Sequence, residues 1–284
     1  MINTFLKYNT KFLINHEFKK KDLDNSKKIL FALFTRYGDT IIDIAVIKEF
    51  VKIYPDKDYL FLCPRQMKPY LDELLPGMNC ISLNKRNLID MFKVHFFLKK
   101  WKPDIGFNPW SNGLDSCYFL TYCEKYLCYK NFKKPKKINH YQVVRQYLKL
   151  PNKDWFFKSL KLRGHYKKIL ICPQSTDQDR TMDDRLLESI INNTVNKYDG
   201  VEITIAKMRD NNFPENCKKF IFKKNAESSR QFICLAKESD LIICTDSAPL
   251  HISVALRKDT LLYLKNTVPE IILNTGSSLA IENY

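Results

Sequence analysis

Apolar and polar positions alternate along this chain in two kinds of block. Short apolar runs, Lys28 to Phe34, Tyr59 to Cys63, Cys80 to Leu83 and Asp104 to Asn108, read as buried strands. Between them lie stretches with helical spacing. Thr40 to Ile53 carries Ile41, Ile44, Ala45, Phe50 and Val51 on one face, and Met67 to Leu75 follows. Asn87 to Trp101 is expected to turn Leu88, Met91, Phe92, Phe96 and Leu98 inward, and Leu114 to Tyr126 closes the series. The alternation resumes later with strands at Ile169 to Cys172, Val201 to Ala206, Phe220 to Phe222 and Leu241 to Cys244, and a final one at Thr260 to Leu264. The helices among these run from a Thr181 cap to about Tyr198, from Ser228 to Glu238, and onward from a Ser247 cap. In the first, Asp184 takes the N3 position, and Met182, Leu186, Leu187, Ile190, Ile191 and Val195 share a face. Strands separated by helices predict an α/β fold with doubly wound parallel sheets, once in each half.

The pattern divides the chain into an appendage at 1–26, a first domain at 27–150, a linker at 151–167 and a second domain at 168–284. The appendage places Ile2, Phe5, Leu6, Phe12, Leu13 and Ile14 near helical spacing among lysines, which suits a basic amphipathic helix on a membrane surface or one packed on the protein. It has neither a continuous apolar block nor a small-residue cleavage site, so it is not expected to be a secretory signal. No apolar stretch in the sequence approaches the roughly 20 residues that span a bilayer.

Charge adds a second layer. The formal net charge is +16, and the stretch from Lys130 to Lys168 holds thirteen Lys or Arg against one acid, Asp154. Such a surface expects an anionic partner, unless the lysines are merely solvated. No nucleic-acid-binding motif accompanies the charge, so nucleic acid is not the expected partner. The nine cysteines include no CxxC pair, and Cys63, Cys172 and Cys244 end apolar runs. They are expected to be buried free thiols in a reducing cytoplasm.

Ligands of open α/β sheets bind beyond the carboxyl ends of the strands. Three segments qualify: Thr35 to Asp39, Pro173 to Arg180, and Thr245 to His251. In the first, Gly38 permits a tight turn. Asp39 is then either a helix cap or a carboxylate facing a ligand, while Asp43, one turn on, is expected to be inert. Arg180 is a cation suited to a diphosphate, or else an ordinary surface side chain. In Thr-Asp-Ser-Ala-Pro-Leu-His, Pro249 sits in the first helical turn and His251 one turn in. The amide groups of that helix end suit a phosphate, and Asp246 suits a ribose hydroxyl or a capping role. The chain has only seven glycines, with neither GxGxxG nor a Walker loop, so nicotinamide, flavin and ATP-hydrolysing readings lack their phosphate loops. Nor does a carboxylate pair set aside for a metal stand out. Asp177-Gln-Asp179 has the spacing but lies in the Arg180 loop.

Taken in order, three segments resemble glycosyltransferase family nine, the lipopolysaccharide heptosyltransferases. They are KILFALFTRYGDTIIDIAVIKEFVKIYP (28–55), ILICPQSTDQDRTMDDRLLESI (169–190) and TDSAPLHISVAL (245–256). RQFICLAKESDLIIC (230–244) also looks like that family's helix–strand lead-in. The resemblance covers most of residues 28–265. It implies a GT-B fold of two Rossmann-like domains facing a cleft. It also implies inverting, metal-independent sugar transfer, with heptose from ADP-heptose as the typical donor and no cofactor. Carried over by position, Asp39 is the general base. Ser175, Arg180, Asp246, Ser247, Ala248 and His251 form the donor site, and Ala248 stands where the family has glycine. The acceptor implied is a lipid-linked phosphorylated glycan, with Lys133, Lys134, Lys136 and Lys137 on the acceptor or membrane side. The protein is then expected in the cytoplasm, peripheral on the anionic inner face of the inner membrane. Two alternatives remain open at this point: a transferase for another nucleotide sugar, and a non-catalytic basic binding protein on the same fold.

Overall fold

The structure, a computed structural model, describes residues 10, 16, 19–111, 113–133, 139–151, 165–207, 221–225, 228–265 and 279–283. The chain divides into two compact units, Met1–Lys153 and Asp154–Tyr284. Each is built on one parallel sheet, Rossmann-like in its strand order.

In the first unit, β1 (Lys28–Ala32), β2 (Asp58–Pro64), β3 (Asn79–Leu83), β4 (Ile105–Phe107) and β5 (Lys125–Leu127) lie in the order β3-β2-β1-β4-β5. Ile29 pairs with both Tyr59 and Ile105, which makes β1 central. Its alternating side chains feed two cores. Phe31 stacks on Phe61 and Phe107 at 5.3 and 5.5 Å, with Phe50 edge-on at 5.7 Å. Leu30 and Ala32 meet Met91, Val94, Leu98 and Phe119 on the other face. The helices are α1 (Lys20–Asn25), α2 (Tyr37–Ile53), α3 (Lys68–Leu74), α4 (Leu88–Trp101), α5 (Leu114–Leu120) and α6 (His140–Tyr147).

In the second unit, β6 (Lys168–Cys172), β7 (Glu202–Lys207), β8 (Ile221–Asn225), β9 (Leu241–Thr245), β10 (Asp259–Leu264) and β11 (Leu279–Asn283) lie in the order β11-β10-β9-β6-β7-β8. Ile169, Ile171, Ile203, Ile205 and Ile243 pack against Leu187, Ile190 and Ile191 of α7 (Asp184–Lys197), with Leu186 and Val195 at the margin. α8 (Ser229–Glu238) and α9 (Ala248–Leu256) complete the unit, and Ser228 caps α8 through the Gln231 amide.

Several expectations change. The helix after β1 starts at Tyr37, so Gly38 and Asp39 lie inside its first turn, and Gly38 has no left-handed φ. Asp39 is therefore not the cap; Arg36 holds that position. The Leu114 helix stops at Leu120, because the chain turns into β5, a short edge strand with only one fully buried side chain. Thr181 does not cap α7: Asp183 does, through the Leu186 amide at 2.8 Å, and Thr181 ties the preceding loop. β10 is not the last strand, since β11 pairs beyond it. On α4 the buried side chains are Met91, Val94 and Leu98, whereas Leu88, Phe92 and Phe96 face outward. Within the basic stretch, Arg145 is buried and paired with Glu49, so it belongs to the α2–α6 packing.

The appendage residues Ile2, Phe5, Leu6, Phe12, Leu13 and Ile14 lie outside the described residues. The part that is described packs on the first unit: Leu23 is buried, and Asp22 pairs with Lys125 at 2.5 Å. The eight cysteines among the described residues form no disulfide, and Cys63, Cys172 and Cys244 are buried. Among the described residues, no helix is long and apolar enough to cross a membrane.

Candidate functional site

Each sheet presents a cluster of polar side chains at its carboxyl edge. At the first edge, α2 begins directly after β1, which puts Asp39 at the position where a helix dipole favours negative charge. Asp39 is half-buried, and the Thr35 hydroxyl donates to its Oδ2 at 3.4 Å. One turn on, Asp43 is fully buried, and neither of its oxygens has a hydrogen-bond partner among the described residues. Burial pushes its carboxyl well above the usual carboxylate range, and the Asp39 charge adds to the push.

Two further elements close around Asp43. Tyr129, just past β5, has a buried hydroxyl that also lacks a partner among the described residues. Burial first, and then Asp43 and Asp39, push that hydroxyl up. Tyr147 of α6 lies edge-on to Tyr129 at 5.4 Å, and its hydroxyl is held by the Leu127 carbonyl and by Asn108. Asn108, at the end of β4, ties this edge together. It accepts from the Tyr129 amide at 2.7 Å and donates to the Ser111 carbonyl at 3.0 Å.

At the second edge, the loop after β6 folds back on itself. The Ser175 amide donates to Thr181 Oγ1 at 3.1 Å, and the Ser175 hydroxyl accepts from the Asp177 amide at 3.2 Å. That fold presents Arg180 to the end of β9. Its Nη1 donates to Asp246 Oδ2 at 2.9 Å, and its Nε donates to Asp177 Oδ2 at 3.2 Å. Partial burial pulls the guanidinium down, but the Asp246 and Asp177 carboxylates outweigh it, so the net movement is upward. Nη2 donates to no protein atom among the described residues. Two carboxylates thus fix the orientation of Arg180 and leave one end of its fork available to an anion.

Beside this clamp, α9 begins after Ser247. The Ser247 hydroxyl donates to the Thr245 carbonyl at 3.2 Å and caps no helix amide, against the sequence expectation. Pro249 stands in the first turn, and His251 is buried one turn in. The structure therefore gathers Ser175, Arg180, Asp246, Ser247 and Ala248 around one sheet edge, with His251 behind them in α9. Lys133 is exposed, four residues past Tyr129, whereas Lys134, Lys136 and Lys137 lie outside the described residues.

Sequence reasoning missed Asp43, Tyr129 and Asn108. For Asp43 a signal existed: a carboxylate flanked by Ile42 and Ile44 in an apolar helix. Tyr129 and Asn108 carried none, because their role depends on three elements meeting.

No family model matches the chain, and no curated protein matches it. Solved structures do. The chain is similar to E. coli heptosyltransferase WaaC with ADP, at a TM-score of 0.68 and 10% identity, over 90% of this chain and 93% of that one. It is similar to a glycosyl transferase of family 9 from Veillonella parvula, at 0.67 and 11% identity, over 91% and 86% of the two chains. E. coli ADP-heptose lps heptosyltransferase II follows at 0.66 and 12% identity, over 90% of each chain. At these identities the likeness is one of fold: the chain has the fold of the family-nine heptosyltransferases.

Proposed function

We propose that the protein is an inverting, metal-independent glycosyltransferase. In this reading it moves a sugar, heptose from ADP-heptose, from a nucleoside diphosphate to a hydroxyl of a lipid-linked phosphorylated glycan. The observation that carries the reading is the Arg180 clamp beside the start of α9. The heptosyltransferase structures of like fold, one holding ADP and another ADP-2-deoxy-2-fluoro heptose, support the choice of donor.

The chemistry follows from the residues. An acceptor hydroxyl is a weak nucleophile, so Asp39 takes its proton as the oxygen attacks the anomeric carbon. The bond from that carbon to the diphosphate oxygen breaks on the opposite face, and the configuration inverts. Charge builds on the departing diphosphate. Arg180 and the amide end of α9 supply the fixed positive potential that stabilises it. Asp246 and Asp177 act through Arg180 by holding its orientation. Lys133, Lys134, Lys136 and Lys137 are assigned to the anionic acceptor, at the cytoplasmic face of the membrane.

A calorimetric screen of ADP-, GDP- and UDP-sugars tests the donor assignment. Saturable binding of ADP-heptose, lost in Arg180→Ala, is the expected result. Binding of none of the donors would leave a non-catalytic binding protein as the reading.

A further inference from the structure

The outward face of α4 is the least expected surface of the molecule. Leu88, Ile89, Phe92, Phe96 and Phe97 are between 42% and 66% exposed, while Met91, Val94 and Leu98 on the opposite side fill the core. Soluble surfaces scatter single apolar side chains, but a contiguous run of this kind marks an interaction site. By helical spacing, Leu88, Ile89, Phe92 and Phe96 form one stripe. Lys99 continues it at its C-terminal end, in line with Phe92 and Phe96, and Lys93 and Lys100 flank it along one side. All three lysines are exposed, and none forms a salt bridge among the described residues. Arg86 and Lys102 extend the positive charge at the two ends, whereas Lys85 is paired with Asp115 at 2.8 Å. The one acid of the helix, Asp90, is taken up by Arg65 at 2.8 Å and by the Asn84 amide.

We infer that this face docks the protein onto an anionic lipid bilayer, with α4 parallel to the surface and its phenylalanines below the headgroups. Charge complementarity selects the occupant. A protein groove that accepted the stripe would have to pair or desolvate the bordering lysines. A bilayer interface takes both at once: phenylalanine and leucine enter the acyl boundary while lysine stems snorkel back to the phosphates. The firm packing of Met91, Val94 and Leu98 in the core makes α4 a rigid blade, so docking costs no folding of the helix. The inference stands on this surface alone. It deepens the transferase reading only in giving a lipid-linked acceptor a membrane to be met on.

Flotation of the full-length chain with vesicles tests it, without donor or acceptor. The wild type should float with vesicles of phosphatidylcholine mixed with phosphatidylglycerol, and much less with phosphatidylcholine alone. Phe92→Ser with Phe96→Ser should lower the partition by roughly tenfold or more at every salt concentration, with little change in melting temperature. Lys93→Gln, Lys99→Gln and Lys100→Gln together should lower it by about tenfold at low salt and flatten its salt dependence. A control removing Lys167, Lys197 and Lys237, equal in charge but in the other unit, should change little. Should the phenylalanine variant fail to fold, the lysine triple against its control decides. Equal loss in both lysine triples would reduce the effect to net charge and overturn the assignment. So would a phenylalanine variant that binds like wild type, or a wild type that is a lipid-free dimer and becomes monomeric in that variant. Asp39→Asn and Arg180→Ala should keep vesicle binding, which separates failure of docking from failure of the transferase reading.

Discussion

The two sheet edges handle carboxylates in opposite ways. At the second edge Asp246 and Asp177 share one cation, since both grip Arg180. At the first edge two carboxyls stand one turn apart, and the buried one, Asp43, has no cation and no hydrogen bond among the described residues. Burial forces one solution in each place. Where a carboxylate is paired, the fixed cation offsets part of the cost of its burial. The unpaired group takes up a proton. In the proposed reading the first edge serves the proton transfer and the second holds the anion.

If that contrast is right, its sharpest break is Asp39→Asn. Turnover should fall by about 10³-fold, while calorimetric donor affinity stays within about twofold. Wild-type turnover in this variant would remove the first edge from the reaction. Next comes Arg180→Ala, which should weaken nucleoside diphosphate binding by roughly 10- to 100-fold and leave nucleoside binding unchanged. Equal losses for both ligands would mean that the clamp does not reach phosphate.

Asp43→Asn should act on stability more than on turnover. The folded protein keeps a proton on Asp43 that the unfolded chain loses above the ordinary value of 3.8. The contribution of this group is therefore whole below that pH and is lost as pH rises toward its folded value. Asparagine never ionises, so the variant should outlast the wild type in denaturant melts. The gap should widen with pH by up to about 1.4 kcal/mol per unit, compared between about pH 5 and pH 8. Parallel curves at all pH values would mean that Asp43 is ionised in the fold. The smallest expected effect is none: excess EDTA should leave turnover unchanged, and a strict demand for magnesium or manganese would refute a diphosphate held by Arg180 and a helix end.

The fold was largely legible because parallel strands buried on both faces are apolar runs, as at Lys28–Ala32 and Leu241–Thr245. β5 escaped because Lys125-Tyr126-Leu127 is short and only half-apolar, and it becomes a strand by pairing with β4. α4 shows where periodicity stops informing. It carries two apolar stripes, and spacing cannot say which one the sheet covers. Arg180 and Asp246 were both singled out from motifs, but their contact joins residues 66 apart in sequence, and only tertiary structure makes a clamp of them. The burial of Asp43 was not legible for the same reason, because Tyr129 and Tyr147, which sense its charge, come from distant segments.

The pairing of β11 with β10 also bears on how the protein keeps to itself. Residues 260–264 of β10 are matched one for one by residues 279–283. Without that last strand, β10 would offer a bare row of amides and carbonyls on an apolar backbone segment, Thr-Leu-Leu-Tyr-Leu. Such a row templates pairing with a second chain. β11 moves the sheet edge from that segment to Leu-Ala-Ile-Glu-Asn, which is less apolar and carries a charge: variants shortened before residue 279 should aggregate more readily than the full chain.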